Sequence, residues 1–529
     1  MNRFSILLVT LLVLLVGFGC VGQAAEQNIL VMSVNQEFGT IDPARGSDYT
    51  ELLAMYNIYS TLVFPDSAGV SQPKLAESWT ASPDGLTYTF KLKKGVKFHD
   101  GSELTAEDVK FSMDRMLALR DGYSWLWSKI MKETTVEDSY TVTFHLNEPF
   151  GPFVSTLPLF SIVNKDTILT HKELGEFGEF GDYGSNWLSI TETEDAGSGP
   201  YKLKAHDRGH KIVLERFQNY FEGWPHGDKS VDEVHMVLLH ENATVKMMLR
   251  KGELSLVDHY RTNEDYREMD SYPNAKAIAF DSSYIVAAKI NTKIAPTDDI
   301  HIRRMLAWAF DYKMVTDVIR SGSPQARGVI SSTIPGHNPR VFQYHYDLDK
   351  AREEMMLSKY YPNIPDVVIT YPSGTEDRRK MALLLQESLA KIGVNLVIKE
   401  EEWGRITELV TTVETTPNIC ITSQTPTYPD PDALLYVMYH SDAAGTWMSS
   451  EWLNNPIVDQ LIDQERVTVD NEERMHIMSI IQQIIIEDCP DIFIDNMVVH
   501  NAMQNYVMGL TWRPIMSAWY YFHDLWFEK

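Results

Sequence analysis

Apolar and polar positions change period along the chain, and each change marks an element. Residues 28–34 run Asn-Ile-Leu-Val-Met-Ser-Val, an apolar stretch that predicts a buried first strand. Between 79 and 92, two alternating segments flank Ser82-Pro83-Asp84-Gly85, which reads as the turn of a hairpin. Tyr88, Phe90 and Leu92 then recur at every second position, as a half-buried strand requires. After a second turn at 95–101, Thr105 is placed to cap a helix, with Asp108 three residues on to favour its positive end. Val109, Met113, Met116 and Leu117 follow at helical spacing. In the second half, a strand is predicted over 367–371 and a turn at Pro372-Ser373-Gly374. A helix over 377–392 follows, with Met381, Leu384, Leu385, Leu389 and Ile392 on one face. Gly393 closes it, and Val394, Leu396 and Ile398 alternate in the next strand. This is a β-α-β unit, which implies parallel strands with a right-handed crossover. A further amphipathic helix spans 471–487 and stops before Pro490. No period of repeats appears. The pattern defines an α/β protein with mixed sheets and several domains, whose ligands are expected at the carboxyl ends of strands or between domains.

The first residues follow another rule. After Arg3, a nearly unbroken apolar run reaches Phe18, shorter than the roughly 20 residues of a spanning helix. A positive start, a short apolar core and small residues at its end make residues 1–19 an export signal. Gly19-Cys20 resembles a lipoprotein cleavage site, although Gly17 stands where a large aliphatic residue is usual. Acylated Cys20 and a tether over 20–26 would hold the protein on the outer face of the cell membrane, in a periplasmic or cell-surface location.

Composition narrows the chemistry. A chain of 529 residues needs more than one core. With 47 basic against 73 acidic residues it repels phosphate backbones, which excludes nucleic acid as a partner. Of three cysteines, only Cys420 and Cys489 lie in the folded body. They form no spaced cluster for zinc or iron–sulfur, and a disulfide between them stays open. Cys420, between Ile419 and Ile421, reads as a buried thiol. His240-Glu241 begins like a zinc-protease helix, but Thr244 stands where the second histidine is required. Gly197-Ser198-Gly199 lacks the spacing of a nucleophile elbow, and no phosphate-cradling GxxxxGK loop exists. His206 and His210 flank Arg208-Gly209, a turn between strands. Asn242-Ala243-Thr244 is a glycosylation triplet of the kind chance also produces. No catalytic residue, metal site or cofactor is expected, and the chain is not read as an enzyme.

Several motifs fall in one order. Leu75-Ala-Glu-Ser-Trp79 is followed by Gly85-Leu-Thr-Tyr-Thr-Phe90, Phe98-His-Asp-Gly101 and Leu104-Thr-Ala-Glu-Asp-Val109. Later come Gly197-Ser-Gly-Pro-Tyr201, Ile290-Asn291 with Arg303-Arg-Met-Leu-Ala-Trp-Ala-Phe-Asp311, and Tyr428-Pro-Asp-Pro-Asp432. Together they resemble the extracytoplasmic solute-binding proteins of family 5, the peptide and nickel class that serves ABC importers. The resemblance implies a two-lobed periplasmic-binding-protein-like fold with a hinge and an extra domain inserted in the first lobe. The first lobe is expected at 27–58, 186–283 and 496–529, the inserted domain at 59–185 and the second lobe at 284–495. It also implies a monomer that closes on oligopeptides or dipeptides and delivers them to permease subunits. Nickel chelates or oligosaccharides as ligand, or a sensory role for the same fold, stay open.

In peptide-binding members of the family, an aspartate opening the Asp-Tyr-Pro-Asp-Pro loop holds the ligand's ammonium group. Thr427 stands there in this chain. A buried ammonium without a carboxylate is costly, so another acid must substitute or the ligand must differ. Asp430 and Asp432 are the nearby acids, although Pro431 suits a first helical turn and gives both of them structural roles at a helix start. Tyr428, Trp403, Trp125 and Trp127 are the candidate cleft aromatics, and Glu37, after the first strand, is a further candidate. The arginine that some nickel binders place in the segment Leu157-Pro-Leu-Phe160 is absent.

Overall fold

The computed structural model describes residues 27–514 and 520–528, so the export signal, Cys20 and the tether lie outside the described residues. The strand read at 28–34 forms over Ile29–Val34 and pairs in parallel with Glu233–Leu238. Lys211–Arg216 and Tyr201–Asp207 complete this sheet, with the Arg208-Gly209 turn between them. Leu30, Met32 and Val34 are buried in a core that runs without a break into the inserted region. There, Ala76–Ala81, Thr87–Leu92, Thr141–Leu146 and Met131–Asp138 form an antiparallel sheet. The hairpin turn takes a positive φ of 69° at Gly85. The helix Ala106–Leu119 packs beside it, and the Thr105 backbone N–H donates to Asp108 at 2.9 Å, as the capping pattern predicts.

The second lobe holds a five-stranded mixed sheet in the order Leu396–Glu401, Val367–Pro372, Ile419–Gln424, Ala275–Ile290 and Asp491–Gln504. Its β-α-β unit is the one the periodicity predicts, with Val367–Pro372 parallel to Leu396–Glu401 across the helix Glu376–Ala390. The helix ends two residues before Ile392, and Gly393 takes the left-handed conformation at φ 82°. Alternation along Ala275–Ile290 builds both faces of the sheet. Val286, Ala288 and Ile290 pack with Ile369 and Leu385, whereas Ile285 and Ala287 pack with Leu434 and Ile481. Asn471–Asp488 is the amphipathic helix expected there.

Two long strands join the lobes. Ala275–Ile290 and Asp491–Gln504 pair antiparallel from Ala275 opposite Gln504 to Asp281 opposite Val498. The ladder then breaks and resumes at Ile285 opposite Asn496. Hydroxyls take over at the break: Ser282 Oγ donates to the Met497 carbonyl at 2.6 Å, and Ser331 Oγ to the Ser282 carbonyl at 2.9 Å. Backbone groups released by the bulge thus keep partners, and the chain can bend there without leaving buried polar groups bare.

Cys420 and Cys489 are buried and free, so the disulfide left open above does not form. They belong to different clusters, Cys420 with Ile406 and Val410, Cys489 with the Val286–Ile290 face. Burial pushes both thiols up to about 12. The Asn242 amide is held by Asp265 at 3.0 Å and Arg261 at 2.9 Å at the start of a helix.

Candidate functional site

The loop after Ile419–Gln424 leads through Thr427 and Tyr428 into the helix Asp432–Tyr439. Pro431, at φ −58°, is preset for a helical turn. Asp430 caps it, with its carboxylate accepting from the Asp432 N–H at 3.0 Å and its carbonyl from the Ala433 N–H at 3.2 Å. The same carboxylate is gripped by both terminal nitrogens of buried Arg474, one at 2.8 Å, while Arg474 Nε donates to Glu465 at 2.9 Å. Asp430 therefore stands behind the site, fully engaged. Asp432 accepts from the Tyr428 hydroxyl at 2.5 Å. Burial, reinforced by the charge of Asp432, pushes Glu465 well above the usual carboxylate range, with the Arg474 cation pulling the other way.

In front of these groups lies a cavity of about 620 Å³. Thr427, Tyr428, Asp432 and Tyr436 form one wall with Arg466, near the end of the helix Pro456–Val467. The opposite wall belongs to the inserted region: Trp125, Lys129, Glu148 and Phe150. The two walls meet at Gly151, whose N–H donates to the Arg466 carbonyl at 2.6 Å. A Cβ at Gly151 would strike the Thr468 carbonyl and the Arg474 side chain, so this approach requires glycine. The Arg466 guanidinium lies 3.9 Å from the centre of the Tyr436 ring and 5.3 Å from that of Phe150.

Four of the residues singled out in the sequence are brought together here: Thr427, Tyr428, Asp432 and Trp125, the last 53% exposed. Trp127 is not a cleft residue. It is fully buried, its ring packed on Phe160 and its Nε1 donating to Thr156 at 3.0 Å, because the single 3₁₀ turn Ser124–Leu126 sends Trp125 outward and Trp127 into the core. Trp403 opens the helix Trp403–Leu409 and packs edge-on against Trp447 at 5.3 Å, outside this cavity's lining. Glu37 is exposed on the first lobe, its carbonyl accepting from Thr50 at 2.7 Å. Arg466, Tyr436 and Phe150 carried no sequence signal, since only the fold brings their segments together.

The first lobe contributes an aromatic cluster near the carboxyl end of Ile29–Val34. Tyr49 meets His259 at 5.3 Å and Tyr260 at 5.0 Å, and His259 Nδ1 lies 3.2 Å from the Tyr520 hydroxyl. Burial pushes His259 down to about 3, which leaves it neutral. Next to it, Asp258 is raised to about 6 by burial, with Arg261 Nε at 3.2 Å pulling the other way. Among the described residues, no group of histidine, cysteine and acidic side chains could hold a metal ion, and no helix is long and apolar enough to cross a membrane.

Two lobes joined by a pair of hinge strands, with cavities walled by separate bodies, define a two-lobed binding protein. The chain belongs to the family described as Bacterial extracellular solute-binding proteins, family 5 Middle, whose model matches residues 71–446. It is similar to the probable D,D-dipeptide-binding periplasmic protein DdpA of Escherichia coli K12, 26% identical over 514 residues that cover 96% of each chain. It is also similar to the oligopeptide-binding protein AppA of Bacillus subtilis 168, 26% identical over 86% of this chain and 84% of that protein. Among solved structures, the periplasmic binding protein DppA of Helicobacter pylori in complex with the peptide STSA matches with a TM-score of 0.74 and 26% identity, over 95% of this chain and 98% of that one.

Proposed function

We propose that this protein is the peptide receptor of an ABC importer, capturing short peptides by lobe closure and passing them to permease subunits without chemical turnover. The observation that carries this reading is the likeness over nearly the full chain to relatives whose names specify dipeptide or oligopeptide binding. The architecture supports it, because a ligand touching both sides of a cleft binds the closed state better than the open one and shifts the population toward closure. The division into a first lobe at 27–58, 186–283 and 496–529, an inserted domain at 59–185 and a second lobe at 284–495 belongs to the same proposal, as does a monomeric state. So does the ligand role of Thr427, Tyr428, Asp432 and Trp125. Export by residues 1–19 and a lipid on Cys20 complete it, supported by the apolar run and by Gly19-Cys20.

The test is thermal melting of protein stripped of carried-over ligand, with trialanine, D-alanyl-D-alanine, nickel with histidine, and an oligosaccharide mixture. Ligand at 100 times its dissociation constant adds about 2.7 kcal/mol, which moves the transition measurably. A shift with a peptide is expected. A shift confined to nickel–histidine or to sugars would replace the peptide reading. In cells, Cys20→Ser should release the protein from membranes, and continued retention would refute the lipid anchor.

A further inference from the structure

One short loop of the second lobe, residues 331–336, touches the hinge, the loop at 425–431 and the inserted region. The loop is firmly held. The Ile334 N–H donates to the Ser331 carbonyl at 3.0 Å, and His337 Nδ1 lies 2.7 Å from the Ile330 carbonyl. From the helix Asn471–Asp488, buried Gln482 donates through Nε2 to the Gly336 carbonyl at 2.9 Å. Ile330 and Ile334 are buried in one cluster with Ile481 and Ile485 of that helix. The loop therefore moves with the helix as a single body.

Its outward contacts go to three separate places. At one end, fully buried Ser331 donates through Oγ to the Ser282 carbonyl at 2.9 Å, inside the break between the hinge strands. At the other end, Gly336 takes φ 88° and lies so close to the 425–431 loop that a Cβ would stand 2.7 Å from Pro431 Cγ. Only glycine fits there. Between the two, Pro335 meets the inserted region. Gly69, in the turn joining Val63–Pro65 to Ser71–Pro73, is seated so that a Cβ would stand 2.9 Å from Pro335 Cδ and 3.1 Å from Pro514 Cγ. The hinge break has a further, direct tie to the 425–431 loop. The ladder between Ala275–Ile290 and Ile419–Gln424 ends at Ile285 opposite Gln424, and Pro426 beyond it offers no N–H. Ser283 Oγ and Thr425 Oγ1, 3.1 Å apart, extend the contact by one step.

We propose that residues 331–336 are the coupling arm of this receptor, and that Ser331 and Pro335 are positioning residues through which the seating of the inserted region sets the hinge and the 425–431 loop. The inference rests on the peptide reading above and deepens it. Neither residue lines the cavity, yet both govern how tightly a peptide is held. With the Gly69 turn against Pro335, the arm holds the Ser282 carbonyl and Pro431 in their present arrangement. With the turn withdrawn, Pro335 loses its stop and the second lobe is free to rotate about the break. A peptide that needs both walls therefore leaves more slowly while the arm is engaged.

The experiment is a double-mutant cycle on the stripped protein, read by calorimetric titration and stopped-flow dissociation of trialanine and D-alanyl-D-alanine. Pro335→Ala withdraws the ring from Gly69, and Ser331→Ala removes the bond to Ser282. Each should weaken binding roughly threefold to tenfold, as the loss of one such contact implies, through faster dissociation at an unchanged association rate. Because both act through one arm, the double variant should lose no more than about the larger single loss. Ligand-free melting of Pro335→Ala should fall only by the small amount that a lost loop proline costs. Where Ser331→Ala melts early, Ser283→Ala takes its place in the cycle, since Thr425 is partly exposed and its hydroxyl can meet water. Single variants that hold peptide as tightly as the unaltered protein, or losses that multiply in the double variant, overturn the proposal while leaving peptide binding intact. Failure of both peptides to bind the unaltered protein overturns the peptide reading and this inference with it.

Discussion

The inserted region touches both lobes, and it does so by opposite means. Toward the first lobe, Arg115 and Asp42 form a two-pronged ion pair with both contacts at 2.7 Å, 1% and 0% exposed, inside one continuous apolar core. Toward the second lobe, Tyr428 and Ala433 touch that core, and the other contacts are lighter: one backbone hydrogen bond at Gly151, Gly69 beside Pro335, Gly85 beside Val469, an arginine beside two rings, and a cavity of about 620 Å³. A buried ion pair cannot separate without stranding a charge in a low-dielectric interior, so the first interface is permanent. The second separates no ion pair when it opens: Arg466, its side chain 26% exposed, stays with Asp432 on the same wall, and the backbone groups at Gly151 can meet water. The difference predicts that the second boundary opens before the first, with the cavity on it.

The largest expected effect is on the permanent side. Asp42→Ala leaves Arg115 unpaired and should cost about 3–5 kcal/mol of unfolding free energy, read by urea denaturation. A loss below about 1 kcal/mol would mean that the ion pair does not hold the interface. On the moving side, Gly151→Ala should do the reverse. The added methyl meets the Thr468 carbonyl and Arg474 only when the walls are together, so ligand-free stability should stay within about 0.5 kcal/mol. The clash, of order 1–3 kcal/mol, should instead weaken peptide binding by roughly tenfold or more. If Gly151→Ala lowers stability and leaves affinity unchanged, the second interface is as permanent as the first.

How far the sequence carried the reading follows the same division. Contacts made within a few dozen residues were legible: the 79–92 hairpin, the Thr105–Asp108 cap and the β-α-β unit all rest on local periodicity and turn chemistry. The candidate site was legible mainly where its residues are neighbours in sequence, as Thr427, Tyr428 and Asp432 are, with Trp125 the one distant residue correctly read as lining it. Trp125 and Trp127 show the limit. Two residues apart on a strand they would share a face, but on a 3₁₀ turn they diverge, and composition does not distinguish the two cases. Arg466 was invisible for a further reason: an arginine in the last turn of a helix is ordinary, and its place beside Phe150 is apparent only once the opposing wall is in place.

Protonation sharpens the comparison by a smaller effect that separates the lobes. His259, in the first lobe, is pushed down to about 3 by burial, below the value near 6.5 it has when unfolded. A depressed histidine stabilises the fold fully above pH 6.5, and that contribution is lost as pH falls toward 3, because the unfolded chain takes up the proton first. Asp258 works against it, since its raised value near 6 favours the fold as pH falls from about 6 toward the unfolded carboxylate range. The two contributions oppose each other, so the histidine shows itself by difference. His259→Gln should gain on the unaltered protein by up to about 1.4 kcal/mol per pH unit below pH 6.5, read as the gap between two melting curves taken from pH 7 to pH 4. Glu465, buried behind the cavity wall, is held above the usual carboxylate range by burial, so like Asp258 it favours the fold as pH falls, and Glu465→Gln should lose on the unaltered protein, a gap of the opposite sign. Gaps of the same sign for the two variants, or no gap for His259→Gln, would overturn the assignment.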